Sequence, residues 1–260
     1  MESVAEKLQS QLGDGFGVHL AMRYQNPSMD KVMGEMRLKN YKKLIIIPMF
    51  PHYASASSGS AMEKALKIIS KWWVIPEISM ISQFWDDEGF INSFVARAKQ
   101  YNIDDYDHVL FSYHGLPERH VDKVYDDGVP CADHNCENEV TEDNKYCYKA
   151  TCYGTTRLLV EKLGIPEYKY TVAFQSRLDK KWLRPFSDDF IKERAEKGDK
   201  KILAFSPAFV ADCLETTVEI GIEYQEIFEE HGGEKVQLVE SLNDHPMWID
   251  TLEKMVRDRA

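Results

Sequence analysis

Short apolar runs alternate along this chain with longer segments in which apolar positions recur every three or four residues. The short runs predict buried strands and the longer segments predict helices, so the alternation predicts an α/β fold with parallel sheets. The expected strands span residues 18–24, 43–48, 77–82, 108–112, 169–175, 201–206 and 235–238. The expected helices span residues 4–12, 27–38, 58–72, 88–100, 151–163, 186–197, 215–231 and 246–259.

These elements fall into two series, with a boundary expected near residues 101–106. The division gives an amino-terminal lobe at 1–103, a carboxy-terminal lobe at 104–243 and a closing helix at 244–260 that packs back on the first lobe. In both lobes an apolar strand ends near a proline and a loop then leads into a helix, which supports two related lobes. We expect the binding site in the cleft between them.

The composition narrows the classes of function. Hydrophobic residues make up 43% of the chain and charged residues 29%, as in ordinary globular proteins. A net charge of -11 argues against nucleic acid as a partner, because Lys and Arg must neutralise its phosphates. No apolar run approaches the roughly 18 residues of a membrane span, and none resembles a signal peptide. We expect a cytoplasmic protein without a transmembrane segment, which leaves peripheral membrane contact and the oligomeric state open.

One predicted strand runs directly into a histidine. The apolar run from Val109 reaches His114, and the chain then turns through Gly115 and Pro117. A parallel strand that ends in this way delivers one side chain to the carboxyl edge of its sheet, where open α/β folds build their sites. A histidine there serves as a base, an acid or a metal ligand near neutral pH, unless it only hydrogen-bonds its own loop.

Four of the five cysteines lie close together in the sequence, in a polar and acidic segment at 128–152 that could not form a core unaided. They are Cys131, Cys136, Cys147 and Cys152. Without a sign of export, disulfides explain them poorly, whereas a bound metal would hold the segment together. Four thiolates bind a [2Fe–2S] cluster or tetrahedral zinc, and the spacing does not separate the two. The alternative is a set of unrelated thiols in a flexible loop.

Glutamates recur every four residues in the predicted helix at 215–231. Glu215, Glu219 and Glu223 should therefore lie along one face of the helix, where like charges four apart destabilise it slightly. Such a row is either a solvated surface or a track of oxygen ligands for a divalent cation. Since Glu215 follows a strand end, we expect it at the same edge as His114.

Several groups of residues, in this order along the chain, resemble the motifs of one enzyme family, the ferrochelatases. They are Met22-Arg-Tyr24, Pro51-His-Tyr53 with Gly59-Ser60, Phe111-Ser-Tyr-His-Gly-Leu-Pro117, Phe174-Gln-Ser-Arg177 with Trp182, Phe209-Val-Ala-Asp-Cys-Leu-Glu-Thr216 and Glu240-Ser-Leu-Asn243. The resemblance covers essentially the whole chain and implies insertion of ferrous iron, the metal substrate, into a porphyrin in haem biosynthesis. It also implies two Rossmann-like lobes.

The resemblance assigns roles residue by residue. His114 would face the macrocycle and accept pyrrole protons or help to hold the metal, with Glu215 opposite as the acidic catalytic partner. Glu219 and Glu223 would continue the acidic track as further metal ligands. The porphyrin side would be lined by Arg23, Tyr24, Tyr53, Ser57 and Trp182. The plainer interpretations are an ion pair for Arg23 and core packing for Tyr53 and Trp182.

Two features depart from the family pattern. Members normally have a longer amino end, so the first lobe would be incomplete. The cysteine insert favours a [2Fe–2S] cluster over zinc, because some members carry such a cluster on internal cysteines. The sequence leaves open whether the substrate is protoporphyrin or coproporphyrin. Two other functions also stay open: a chelatase for another tetrapyrrole or metal, and a non-catalytic iron–sulfur or metal-binding protein.

Overall fold

A computed structural model describes all 260 residues of the chain. The chain divides into two compact units, one formed by Met1–Phe84 with Asn243–Ala260 and the other by Trp85–Leu242. The boundary expected near residues 101–106 assigns the helix at Glu88–Ala98 to the amino-terminal lobe. In the structure this helix contacts a helix of the second unit and belongs to that unit.

Strands and helices alternate along the chain, with most bounds close to those expected. The strands are β1 (Lys43–Ile46), β2 (Glu77–Met80), β3 (His108–His114), β4 (Tyr170–Gln175), β5 (Lys201–Phe205) and β6 (Lys235–Leu238). The helices are α1 (Glu2–Leu12), α2 (Met29–Arg37), α3 (Ser60–Ile69), α4 (Glu88–Ala98), α5 (Glu118–Val121), α6 (Tyr148–Leu163), α7 (Ser187–Glu196), α8 (Tyr224–Glu230) and α9 (Pro246–Arg257). None of them is both long and apolar enough to cross a bilayer.

The first unit is built on two strands. β1 and β2 pair in parallel, with Lys43 opposite Glu77 at their first residues. The apolar face of α2 and α3 covers them, because Met33, Leu44 and Ile69 are buried in one cluster. The terminal helices α1 and α9 also contact each other in this unit.

The second unit is built on a four-stranded parallel sheet in the order β4-β3-β5-β6. One face of the sheet packs against α7 and α8, since Leu110 and Ile202 are buried in one cluster with Ile191 and Phe228. The fold class predicted from the alternating pattern, parallel sheets flanked by helices in two regions, is therefore confirmed. The central position of β3 directs its last residue to the middle of the carboxyl edge.

The strand predicted at residues 18–24 is wrong. This stretch is irregular, and Met22 forms only an isolated bridge with Ser28. A strand exists only where a neighbour completes its hydrogen bonds, and here the N–H of Val18 donates instead to the side chain of Gln9 at 2.8 Å. Apolar alternation alone could not reveal the missing neighbour.

The helix predicted at residues 215–231 is present, but its first half is π-helical. The π-helical segment covers Glu215–Glu223 and continues directly into α8. The N–H of Tyr224 donates to the carbonyl of Glu219, five residues earlier. A shorter π-helical turn at Ser55–Gly59 precedes α3. Such turns are rare and often lie at functional sites.

Candidate active site and cysteine cluster

The candidate catalytic histidine ends the most buried strand of the second unit. His114 is half-buried, whereas the six residues of β3 before it are all buried. The chain then turns at Gly115, whose N–H donates to the carbonyl oxygen of Gln175 at 2.7 Å. A β-carbon on Gly115 would lie only 2.8 Å from that oxygen, so the turn requires glycine.

The imidazole of His114 is oriented by this turn. Its Nδ1 lies 2.6 Å from the carbonyl oxygen of Gly115. Because a carbonyl only accepts hydrogen bonds, Nδ1 carries the proton of the neutral imidazole, and in that tautomer Nε2 presents its lone pair. The rings of Trp182 and Phe209 flank the imidazole, with centroids 6.4 Å and 6.2 Å from it. The arrangement presents a base at Nε2 beside aromatic walls.

Trp182 reaches His114 because the loops that follow β3 and β4 pair with each other. The N–H of Leu183 donates to the carbonyl of Leu116 at 2.9 Å, and Pro117 and Trp182 form an antiparallel bridge. The sequence placed Trp182 at the porphyrin side through the family resemblance alone. The structure holds its indole next to the candidate base.

The three glutamates of the predicted acidic track all lie in the π-helical segment. A π-helix has more than four residues per turn, so side chains four apart stay close to one line along it. Glu215 and Glu219 are half-buried, whereas Glu223 is exposed. The segment follows β5, the neighbour of β3, and Glu215 therefore comes from the same carboxyl edge as His114.

Glu219 is held by four hydrogen bonds. Its Oε1 accepts from the main-chain N–H of Ser176 at 2.6 Å and from the hydroxyl of Tyr224 at 3.1 Å. Its Oε2 accepts from Gln175 Nε2 at 2.9 Å and from Ser176 Oγ at 2.5 Å. Ser176 has a φ of 60°, in the left-handed region that few serines adopt. The carboxylate of Glu219 thus anchors a strained turn.

Gln175 connects the two candidate catalytic residues. It is buried at the end of β4 and lies opposite His114 in the sheet. Its Nε2 donates to the main-chain carbonyl of Glu215 at 2.6 Å, and its Oε1 accepts from Ser112 Oγ at 2.8 Å and Ser206 Oγ at 3.2 Å. The side chain therefore ties the strand that ends at His114 to the helix that begins at Glu215.

The candidate porphyrin residues of the first unit gather around Ser60. Arg23 Nε donates to Ser60 Oγ at 3.0 Å, and the Tyr24 hydroxyl lies 3.4 Å from the same oxygen. The guanidinium of Arg23 lies 4.6 Å from the centroid of the Tyr24 ring, which is 78% exposed. The group offers a cation and hydroxyls, the chemistry that binds a carboxylate.

Tyr53 precedes the π-helical turn at Ser55–Gly59, and Ser57 lies within it. The Tyr53 hydroxyl lies 2.9 Å from the position that a β-carbon on Gly59 would take, so Gly59 makes room for it. Ser57 Oγ donates to the carbonyl of Ala54 at 3.4 Å. Both residues therefore lie on the short connection between β1 and α3.

Three of the four clustered cysteines meet in the structure. The sulfur atoms of Cys131, Cys136 and Cys147 all lie within 4.8 Å of one another, and all three residues are buried. Cys131 Sγ is 2.8 Å from Cys136 Sγ and 3.4 Å from Cys147 Sγ. Cys152, the fourth residue of the predicted ligand set, lies in α6 and is not part of this group.

The pKa values of the clustered cysteines are shifted in different directions. Hydrogen bonds from the thiols of Cys131 and Cys136 lower the pKa of Cys147, which favours its thiolate. Hydrogen bonds with Cys136 and with Cys147 raise the pKa of Cys131. Complete burial raises the pKa of Cys152, which favours its neutral thiol. A thiolate among three converging sulfurs is the donor set that a thiophilic metal takes.

Comparison with solved structures identifies the fold. SirB from Bacillus subtilis with Fe3+ matches with a TM-score of 0.61 at 15% identity, over 100% of this chain and 89% of that one. CbiX, described as the terminal enzyme for biosynthesis of sirohaem in denitrifying bacteria, matches with a TM-score of 0.60 at 10% identity, over 100% and 90%. The fold is therefore that of the chelatases.

Sequence comparison then gives the family. The ferrochelatase family model matches residues 1–260. The ferrochelatase of Legionella pneumophila (strain Lens) is 41% identical over 99% of this chain and 76% of its own length. That of Coxiella burnetii (strain Dugway 5J108-111) is 37% identical over 98% and 72%. The chain belongs to the ferrochelatase family, as its motifs predicted, and is a metal chelatase, a lyase that inserts ferrous iron into a porphyrin in haem biosynthesis.

Gln175, Ser176 and Ser60 belong to the motifs of the family resemblance, but the sequence gave no indication of their roles in the site. Their positions within the family motifs were the one feature of the sequence that could have marked them as functional residues. What they do depends on side-chain hydrogen bonds to Glu219 and Arg23, residues more than 30 positions away in the sequence. Pattern and spacing carry no information about such bonds.

Proposed function

We propose that His114 and Glu215 carry the iron insertion reaction in this chain. Two pyrrole N–H protons must leave the porphyrin as Fe2+ enters. His114 accepts the two pyrrole protons one after the other at Nε2, the nitrogen whose lone pair its loop leaves available, and passes each to solvent. Glu215 supplies a carboxylate oxygen to the entering iron. The carrying observation is that both residues come from one sheet edge, with Gln175 bonded to Glu215 and opposite His114.

The remaining candidates fill supporting roles. Glu223 is proposed as the outer carboxylate of the iron track, whereas Glu219, with four hydrogen bonds already, holds the Ser176 turn beside it. The residues proposed for the porphyrin side are Arg23, Tyr24, Tyr53, Ser57 and Trp182. The cation of Arg23 suits the carboxylates that porphyrins carry at their rim. A ring bound in a bent shape brings its nitrogen atoms closer to the geometry of metal entry, which lowers the barrier.

The test is metallation under anaerobic conditions, followed through the Soret band after porphyrin and Fe2+ are added to the purified chain. We expect His114→Ala to lower the rate by about a hundredfold or more, as loss of a general base does, while porphyrin binding persists. The matched control is His120→Ala, an exposed histidine in α5, the short helix that follows the His114 loop. For Glu215→Gln the control is Glu226→Gln, farther along the same helix. A His114→Ala chain that metallates normally would contradict the assignment.

We also propose that the cysteine cluster holds a metal centre, with a [2Fe–2S] cluster ahead of zinc. The three converging thiols support this, and a [2Fe–2S] cluster needs one more ligand, for which Cys152 is the remaining cysteine of the insert. When bound, such a centre would hold the acidic insert in place.

Visible absorbance and metal analysis of the purified chain distinguish the two metals, because zinc sites are colourless. Ser substitutions of Cys131, Cys136 and Cys147 should each abolish metal binding, and Cys213→Ser, outside the cluster, should not. Cys152→Ser decides the fourth ligand: loss of the metal assigns it, and full metal content excludes it. Unchanged metal content in the first three variants would contradict the site.

The compartment we propose is the cytoplasm. All five cysteines are free thiols in the structure. Cytosolic thiols are kept reduced, whereas clustered cysteines in oxidising compartments are usually paired. Localisation of the tagged protein by cell fractionation tests this proposal.

A further inference from the structure

The strand that ends at His114 loses one of its two neighbours before its end. β5 pairs with β3 only as far as Phe111, whereas β4 pairs with it up to His114. The peptide between His114 and Gly115 points its N–H toward β4, where the carbonyl of Gln175 accepts it at 2.7 Å. The two polar groups of a trans peptide point in opposite directions, so the carbonyl of His114 faces the side on which β5 has already ended. A main-chain carbonyl needs a donor, and no strand supplies one here.

A buried tyrosine supplies the donor instead. The hydroxyl of Tyr148 donates to the carbonyl oxygen of His114 at 2.8 Å. Tyr148 is the first residue of α6 and is buried. Burial raises the pKa of Tyr148 well above its ordinary value, so the hydroxyl keeps the proton that it donates. The peptide between His114 and Gly115 is therefore held at both of its polar groups.

This peptide acts on the candidate base through one further atom. The carbonyl oxygen of Gly115 accepts the Nδ1–H of His114 at 2.6 Å, and the conformation of Gly115 decides where that oxygen lies. Glycine has no β-carbon to restrict its φ and ψ, so the turn has little stiffness of its own. Without the bond from Tyr148, the peptide could rotate and carry the Gly115 oxygen away from Nδ1.

We propose that Tyr148 is a positioning residue for iron insertion. Its hydroxyl fixes the peptide that follows His114, and through the Gly115 carbonyl it keeps the imidazole in the tautomer that presents a lone pair at Nε2. A released imidazole would carry its proton at Nε2 for part of the time and could not then accept another proton there. This inference rests on the role proposed for His114 and adds a residue that does not touch the substrate.

A second tyrosine provides a matched control. Tyr113 is buried in β3 directly before His114, and its hydroxyl lies 2.8 Å from the hydroxyl of Thr156 in α6. Tyr148→Phe and Tyr113→Phe each remove one buried hydroxyl between the same strand and the same helix, and each keeps the ring. We therefore expect similar decreases in the urea unfolding midpoint for both variants. Only Tyr148→Phe releases the peptide that holds the imidazole.

The first measurement is iron insertion into a water-soluble porphyrin by the full chain. We expect Tyr148→Phe to lower kcat about tenfold, because a slightly misplaced catalytic group loses rate steeply, and to keep both KM values within about twofold of the parent. Tyr113→Phe should keep the parent kcat. The metal content of both variants should equal that of the parent, which separates this effect from any change at the cysteine cluster.

The second measurement determines the tautomer of His114 from the nitrogen chemical shifts of protein labelled with 15N-histidine. It is made at about pH 8.5, where ordinary histidines are neutral, and His114→Ala identifies the resonances. The parent and Tyr113→Phe should carry the proton at Nδ1, whereas Tyr148→Phe should show a mixture of both tautomers.

The proposal is overturned by an unchanged tautomer in Tyr148→Phe, by an equal loss of kcat in both variants, or by loss of bound metal in Tyr148→Phe. A Tyr148→Phe chain with the parent kcat, beside an inactive His114→Ala chain, overturns this inference alone. Normal metallation by His114→Ala is the separate result that removes the proposed base.

Discussion

Replacing Glu219 with glutamine tests whether this residue anchors a turn or carries iron. Each carboxylate oxygen of Glu219 accepts two hydrogen bonds. In each pair one donor is a hydroxyl, which can also accept, and the other is an N–H group, which can only donate. These two donors are the main-chain N–H of Ser176 on Oε1 and the amide Nε2 of Gln175 on Oε2. The NH2 group of the new glutamine must face one of them, whichever way its amide is turned.

The magnitude follows from this count. A hydrogen bond to a charged group contributes about 1.5–3 kcal/mol, and a donor left without an acceptor costs about 1–3 kcal/mol. Glu219 is half-buried, so solvent recovers part of the loss. We expect the free energy of unfolding to fall by about 2 kcal/mol, because one fixed donor loses its partner and the others lose the charge. Release of the left-handed Ser176 should also lower kcat/KM for iron insertion about tenfold.

The assay is urea unfolding of the parent, Glu219→Gln and Glu223→Gln, together with iron insertion kinetics for the same three proteins. Glu223 is exposed, so its substitution should change the unfolding free energy by less than about 0.5 kcal/mol. Glu219 does not anchor the Ser176 turn if Glu219→Gln unfolds like the parent while both variants raise the KM for iron equally. In that case Glu219 is a member of the iron track.

Two further predictions concern acid stability and the histidine turn. Burial lowers the pKa of His52 to about 3 from 6.5, so the unfolded chain binds the extra proton as the pH falls below 6.5. His52 should therefore contribute a drop of about 2 kcal/mol in the unfolding free energy between pH 7 and pH 5. His52→Asn should remove this share and His120→Asn should keep it, while the buried His108, whose pKa is lowered to about 4, accounts for the slope that remains. Gly115→Ala should cost about 1–3 kcal/mol in urea unfolding and abolish metallation, because its β-carbon would press on the Gln175 carbonyl. Gly34→Ala, in a helix with open space around it, should be neutral or stabilising in the same assays.

The sequence predicted the elements of the second unit well because each buried strand leaves a local signature. The apolar run before His114, for example, corresponds to six buried residues of β3. The strand predicted at 18–24 is wrong because a strand also needs a neighbouring strand to pair with. The apolar pattern of one segment does not show whether that neighbour exists. The sequence did not distinguish the π-helical segment from an α-helix, because a spacing of four residues between glutamates fits both kinds of helix equally.

Single residues of the candidate site could be predicted from their position in the sequence. Contacts that depend on several residues from different segments could not. His114 and Glu215 could be proposed from the sequence because His114 ends one strand and Glu215 follows another. The convergence of three cysteines, with Cys152 outside the group, depends on how a polar loop folds, and spacing does not determine that. The bonds of Gln175 depend on the neighbouring helix being in place.

In the proposed iron track, the three glutamates differ in how firmly hydrogen bonds hold them, and the difference follows from Gln175. Its amide reaches both the main chain of Glu215 and the carboxylate of Glu219, and its own backbone is paired with His114 in the sheet. These bonds fix the start of the helix relative to the candidate base. Glu223 lies beyond their reach and is exposed. On the proposed iron route, a hydrated cation would first meet the exposed carboxylate of Glu223 and then lose water stepwise toward Glu215, at the sheet edge that carries the proposed proton acceptor.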